Sequence, residues 1–255
     1  MAEGISAASP GETPACGVLF VDKPVGLSSF AIVRRVRWLL GVKKVGHAGT
    51  LDPFATGLLI LCVGRAATRH IALLMGGNKT YLARLQLGVE TDTLDTEGKV
   101  IRTTAVPDLD ENELNQCLRR FLGAQQQAPP PYSAAKHQGK PLYAYARQGV
   151  FIEKEARPIA IHVIELTGYD PALHQLEIKV CCSKGTYIRV LAADIGAGLG
   201  CGAHCIALRR LASGPFTVEE SIDGETLFGQ EGLPQAGLHL RDIEEVLGRL
   251  AEPVF

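Results

Sequence analysis

The most regular feature of the chain is a short apolar run, "GLLILCVG" at residues 57–64, bounded by glycine at both ends. A stretch that brief, with no polar interruption, predicts a strand covered on both faces. "GVLFVDKPVG" reads as another short strand, closed by a turn carrying Pro24 and Gly26. Between them "SFAIVRRVRWLLG" has helical spacing. Phe30, Val33, Val36 and Leu40 share one face, Arg34, Arg35 and Arg37 lie largely elsewhere, Ser28 or Ser29 serves as cap and Gly41 ends the turn. "RAATRHIALLMGG" also reads as helix, and "KTYLARLQLGVETD" alternates as a half-buried strand does. "DLDENELNQCLRRFLG" has an acidic first turn and a basic last turn, both helix signals. Two more strands are expected at "RPIAIHVIELTGYD", where Ile159, Ile161 and Val163 alternate, and at "HQLEIKVCCSKG". "TYIRVLAADIGAGLG" and "AHCIALRRLASG" read as helices. Strands arrive in clusters without a steady βαβ beat, so the expected class is α+β around a mixed sheet.

Composition adds little until its distribution is considered. The 255 residues are 46% apolar and 21% charged, with a net charge of −1, which suits a globular chain with a real core. Lys23–Arg84, however, holds ten basic residues against Asp52 alone, a net of +9, whereas Glu219–Phe255 carries nine acids and two bases. Such asymmetry puts a positive field on part of the molecule, where a polyanion would be drawn. A second basic region follows. No acid occurs between Glu113 and Glu153, a stretch with three successive prolines, Lys136, Lys140 and Arg147, and the interspersed Tyr132, Tyr143 and Tyr145. Residues 124–150 are expected to form an insertion that grips an RNA backbone and stacks on bases.

Seven cysteines form an odd set with no disulfide spacing, so reduced thiols are expected. Cys201, His204 and Cys205 lack a second ligand pair and read as the buried side of a helix rather than a zinc site. No metal is expected. Residues 1–16 have neither a basic start nor a continuous apolar core, and read as a flexible leader. With no long apolar run for a membrane span, a cytoplasmic protein is expected.

Asp52 is the singular residue of the basic stretch. Pro53 holds it extended, and Gly46, Gly49 and Gly57 permit tight turns and a close ligand approach. Cations around it would keep the carboxylate ionised, ready to act as nucleophile or base on a substrate bearing phosphates. Ordinary glycoside hydrolysis needs two carboxylates, and Asp52 is the only acid in Lys23–Arg84, so a second would have to come from elsewhere, such as Asp194. No nucleophile elbow, Walker sequence or dinucleotide fingerprint is present.

"GHAGTLDPFATGLL" closely resembles the catalytic loop of the bacterial tRNA pseudouridine-55 synthases. "VDKPVGLSS", "KTYLARLQLGVETDTLDTEG", "PPPYSAAKHQGKPLYAYAR", "CSKGTYIRVLAADIG" and "GCGAHCIALRRLASGPF" resemble further blocks of that family, in family order, from about Gly17 to Phe216. The resemblance implies a mainly antiparallel central sheet flanked by helices, with Asp52 as the essential aspartate and Arg189 as the arginine that pairs with it. It makes Tyr81 the tyrosine packed on the target base, and Tyr187 one that assists proton transfer. His47 matches a histidine that holds the extruded RNA, and Lys23 and Leu208 match pocket-lining positions. Lys136 and Lys140 belong to the expected RNA clamp.

The implied reaction isomerises the T-loop uridine of tRNA and requires no cofactor. Its implied partner is the tRNA T-stem-loop, with no obligatory protein partner and a monomer as the default. Alternatives are the catalytic subunit of an RNA-guided synthase and a non-catalytic tRNA-binding or folding protein. Family members commonly add a C-terminal RNA-binding PUA domain. Here residues 17–218 are expected to form the catalytic domain, and 219–255 an acidic extension with the PUA domain absent.

Overall fold

The computed structural model describes residues 15–251, so the first fourteen positions of the expected leader lie outside the described residues. The chain divides into two compact units. The first gathers residues up to 53, 57–75 and those from 217 onward. Its central strand, Gly17–Lys23, runs antiparallel to Thr56–Val63 in unbroken register from Gly17 opposite Val63 to Lys23 opposite Gly57. Val18, Leu19, Val21 and Leu58–Cys62 are all wholly inaccessible. Each such aliphatic side chain contributes about 1.5–3 kcal/mol relative to an exposed one.

Helix Ser29–Leu40 begins where the Ser28 hydroxyl accepts the Ala31 N–H at 3.1 Å, and ends at Gly41 in the left-handed region. Its buried face differs from the expected one, consisting of Ser29, Ile32, Val33 and Val36. Phe30 is 58% exposed, beneath the Arg37 guanidinium. The turn of the helix follows from Ser29, whose hydroxyl both donates to the Leu51 carbonyl and accepts from the Leu51 N–H, drawing that edge inward. The segment expected as one helix after residue 64 is two, Gly64–Thr68 and Ile71–Leu74.

Residues 219–251, expected as an extension, are built into this unit. Ile222–Asp223 adds a parallel strand to Gly17–Lys23, pairing Val21 with Ile222. Val18 and Arg241 exchange both backbone hydrogen bonds, at 2.9 and 2.8 Å. Glu220 accepts from Arg249 at 2.6 and 2.9 Å and meets Arg241 at 3.2 Å. Those guanidiniums, the hydrogen-bonded Arg249 foremost, hold its carboxyl below the usual range.

The second unit comprises residues 54–56 and 76–216. Its strands lie in the order Ala203–Ser213, Lys79–Leu87, Gln175–Cys182, Arg157–Asp170, Gly123–Gln127, every pair antiparallel. Helix Ile188–Gly198 packs on the first of these strands and helix Glu111–Arg119 on the fourth. The latter opens with a capping box, Asp110 and Glu113 each accepting the other's backbone N–H.

"AHCIALRRLASG", expected as a helix, is the strand Ala203–Ser213. It lacks β-branched density, which favours helix locally. Two bulges, at Cys205/Ala207 and Arg210/Ala212, scramble the alternation that marks a strand. Pairing along the length of Lys79–Leu87 overrides the local preference. The expected insertion is also narrower than 124–150. Gly123–Gln127 is an edge strand of the sheet, and the irregular part begins after it, with the hairpin Lys136–His137/Lys140–Pro141 and helix Leu142–Ala146.

Candidate active site

Asp52 lies half-buried in the loop between strands Val45–His47 and Thr56–Val63, and both its neighbours are fixed. Leu51 is held by the two hydrogen bonds to Ser29, at 2.9 and 2.8 Å. The Pro53 carbonyl accepts the Gly26 N–H at 2.8 Å and the Lys23 ammonium at 3.3 Å. Lys23 also donates to Leu27 at 2.6 Å and to Pro24 at 2.9 Å. It is completely inaccessible. Expected as a pocket-lining RNA contact, Lys23 instead braces the loop from within, its charge spread over three carbonyl dipoles. Gly49 and Gly57, both at φ +99, supply the turns on either side that an L side chain would strain. His47 sits at the end of its short strand, half-buried.

The cations of the basic stretch are not a uniform wall around Asp52. Arg35 donates to the Leu227 carbonyl at 2.5 Å, Arg37 to that of Val45 at 2.7 Å, and Lys79, like Lys23, is buried.

In the second unit, Tyr81 stands on strand Lys79–Leu87, directly opposite Arg210 on one neighbour and Val180 on the other. Leu208 is opposite Ala83. Opposed residues and those two apart share a sheet face, so Lys79, Tyr81, Leu208 and Arg210 form one buried patch. Burial, with Arg210 nearby, lowers the Lys79 ammonium to about 8.

Arg189 is held most firmly. One guanidinium nitrogen donates to the Thr93 carbonyl at 2.6 Å and faces the Asp95 carboxylate at 3.2 Å; the other donates to the Tyr132 carbonyl at 2.8 Å. Asp95 is itself set by the Thr93 hydroxyl at 2.5 Å and the Glu97 N–H at 3.0 Å, after Leu94 in the left-handed conformation. Tyr187 precedes helix Ile188–Gly198, and the buried Gln127 amide brackets its backbone, accepting at 2.7 Å and donating at 3.2 Å. Spacing does not single out Asp95 or Gln127, and offers Ser29 only as a possible helix cap. Asp95 stands in "TDTLDTEG", whose density of turn-forming polar residues is the available signal.

Lys136 and Lys140 are exposed on the hairpin, as a clamp requires. The nearby aromatic rings pack on one another: His137 edge-on to Tyr145, and Tyr132 edge-on to Phe151, with Arg147 over Tyr143. The candidate set is thus divided, with Lys23, His47 and Asp52 in the first unit and the others in the second. His204, expected on a helix, lies on a strand with its Nδ1 2.8 Å from the Val89 carbonyl. Among the described residues, no three His, Cys, Asp or Glu side chains are grouped to hold a metal ion, and no helix is long and apolar enough to cross a membrane.

Residues 37–188 match the family model for the TruB family pseudouridylate synthase N-terminal domain, and 189–233 match that for the tRNA pseudouridylate synthase B C-terminal domain. The class is therefore pseudouridylate synthase. Within it, the chain belongs to the TruB family. It is 51% identical over 237 residues to tRNA pseudouridine synthase B of Desulfotalea psychrophila, covering 91% of this chain and 93% of that one. Its counterpart in Bordetella avium is 49% identical over 216 residues, with 84% and 87% covered. Among solved structures, the Cbf5-Nop10-Gar1 complex matches with a TM-score of 0.68 and 27% identity, over 91% of this chain and 62% of that one. An H/ACA RNP bound to a substrate RNA containing 2′-deoxyuridine matches with a TM-score of 0.65 and 25% identity, over 92% and 61%. The chain thus spans less than two thirds of those structural relatives.

Proposed function

We propose that this chain is a tRNA pseudouridine-55 synthase of the cytoplasm, acting on the T-stem-loop as a monomer without a protein partner. The observation that carries this is identity of about one half to tRNA pseudouridine synthase B running through nine tenths of both chains. The braced Asp52 loop supports it physically, because a carboxylate held at a fixed place needs no reorganisation before it acts.

The reaction is an isomerisation. The N1–C1′ bond of uridine breaks, the uracil turns within the site, and C5 joins C1′; the proton lost from C5 is balanced by one gained at N1. Asp52 either attacks C1′ or removes a proton from C2′ to give a glycal-like intermediate. Tyr81 stacks on the base, Tyr187 handles the proton at C5, and Arg189 keeps the catalytic carboxylate ionised. The nucleotide must leave its stack first, at a cost of a few kcal/mol that phosphate contacts offset. His47 and Leu208 line the pocket, and Lys136 and Lys140 grip the backbone.

The test is to incubate the purified chain with a transcribed tRNA and map pseudouridine. Modification at the T-loop uridine is expected, and Asp52→Asn should abolish it while leaving tRNA affinity within about threefold, since a neutral isostere removes only the reacting charge. Turnover surviving in that variant would remove Asp52 from its role. A second reading, the catalytic subunit of an RNA-guided enzyme, is favoured by the structural likeness to the Cbf5-Nop10-Gar1 complex and to the H/ACA RNP bound to a substrate RNA. Modification of bare tRNA by the chain alone excludes it. A non-catalytic tRNA-folding protein is the reading left by binding without modification.

A further inference from the structure

Five cations of the basic stretch, Arg34, Lys43, Lys44, Arg65 and Arg69, are exposed in the first unit. Three of them converge. The Gly64 N–H donates to the Lys44 carbonyl at 2.7 Å, setting Lys43 and Lys44, just past the end of helix Ser29–Leu40, beside Arg65 in the first turn of helix Gly64–Thr68. Trp38 lies in the last turn of the longer helix, 58% exposed. It walls a hollow of about 360 Å³ lined by Ala31, Arg34, Arg35 and Phe228. The Arg35 guanidinium lies 4.5 Å from the Trp38 ring centroid and 5.5 Å from that of Phe228.

The exposed indole offers a stacking face, and three exposed cations on adjoining backbone add a run of positive charge beside it. Glu225 and Glu231, exposed on the segment that carries Phe228, make that side of the hollow unwelcoming to phosphate. The favourable path for a polyanion therefore runs from Trp38 toward Lys43, Lys44 and Arg65. Aromatic stacking beside a row of cations is the chemistry that holds an unpaired nucleotide and its flanking phosphates.

We infer that this corner is a second RNA contact, separate from the hairpin of Lys136 and Lys140, with an unpaired base on Trp38 and backbone phosphates on Lys43, Lys44 and Arg65. The inference rests on the tRNA reading for the identity of its RNA. None of these residues has a part in the proposed chemistry.

The test is a salt titration of tRNA binding to the full chain and to a Lys43→Gln, Lys44→Gln, Arg65→Gln variant. Three lost phosphate contacts should lower the slope of log K against log[salt] by about two to three, and affinity near physiological salt roughly tenfold. Lys44→Gln alone should lower the slope by about one, which keeps the test decisive if the triple variant folds poorly. Trp38→Ala should weaken binding at least about fivefold, and Trp38→Phe should restore most of it. Single-turnover rates at saturating enzyme should not change. An unaltered slope in the single and triple variants overturns the inference and leaves the corner to a protein partner. Reduced binding by the variants, with no pseudouridine made by the parent chain, would instead sink the enzymatic reading and leave this contact standing.

Discussion

Arg189 and Asp95 form a buried ion pair, nitrogen to oxygen at 3.2 Å, with side chains 3% and 4% exposed. Neither charge has an easy alternative in water. Asp95 thereby fixes the orientation of a guanidinium that the proposed chemistry relies on, although it touches no reacting atom.

Asp95→Ala should therefore fail in two ways. It takes one partner from a buried guanidinium that keeps the Thr93 and Tyr132 carbonyls, costing about 1–3 kcal/mol and lowering Tm by about 5 °C. It should also cut single-turnover pseudouridine formation at least a hundredfold, measured below the new Tm. Asp95→Asn, which retains the acceptor for the Thr93 hydroxyl and Glu97 N–H, should recover more stability than activity. Equal recovery of both would reduce Asp95 to a purely structural part.

Lys23→Met keeps the length of the side chain and removes its donors. The carbonyls of Leu27, Pro24 and Pro53 each lose the ammonium. A loop displaced by about 1 Å can lose a hundredfold in rate. The expected result is turnover ten- to a hundredfold lower with tRNA affinity within about threefold. Affinity falling in step with rate would point to direct RNA contact by Lys23.

Lys79 gives a pH signature. Its ammonium titrates near 8 when folded, against 10.5 ordinarily. Below 8 both folded and unfolded chains hold the proton, and the cost of burying the charge is fully present. Between 8 and 10.5 the unfolded chain binds more protons, so stability rises with pH through that window. Urea titrations should show the parent gaining on Lys79→Met from pH 8 to 10. A constant difference between the two would contradict the depressed ammonium.

Thiol reactivity should be selective. Burial pushes the Cys62 thiol up to about 12 and Cys182 to about 11, whereas Cys16 is exposed and Cys181 partly so. A disulfide reagent at pH 8 should label Cys16 first and Cys62 only on unfolding. Early labelling of Cys62 would show that its strand opens readily.

For the hairpin, Lys136→Ala and Lys140→Ala should each weaken tRNA binding and lower the salt slope by about one. Unchanged affinity in both would leave the hairpin without an RNA role.

What sequence made legible were features carried by a continuous window of residues. The apolar run at 57–64 marks the buried strand Thr56–Val63, and the charge pattern by itself isolates Asp52. The misread strand Ala203–Ser213 shows the limit, because its partner lies far away in the chain and its bulges hide the period. Phe30 departs from the expected face for a related reason: the helix is turned by Ser29 reaching Leu51, a contact no periodicity encodes. Gln127 bracing Tyr187 and Asp95 holding Arg189 are likewise long-range side-chain contacts, invisible to spacing.

The parallel pairing of Val21 with Ile222 and the antiparallel one of Val18 with Arg241 tie the strand Gly17–Lys23 to segments far along the chain. During synthesis, the strand Gly17–Lys23 emerges well before Ile222 and Arg241 and must wait for them to complete its edge. A chain truncated before Ile222 would thus leave that apolar strand edge bare, making the segment from Ile222 a guard against aggregation as much as a part of the fold.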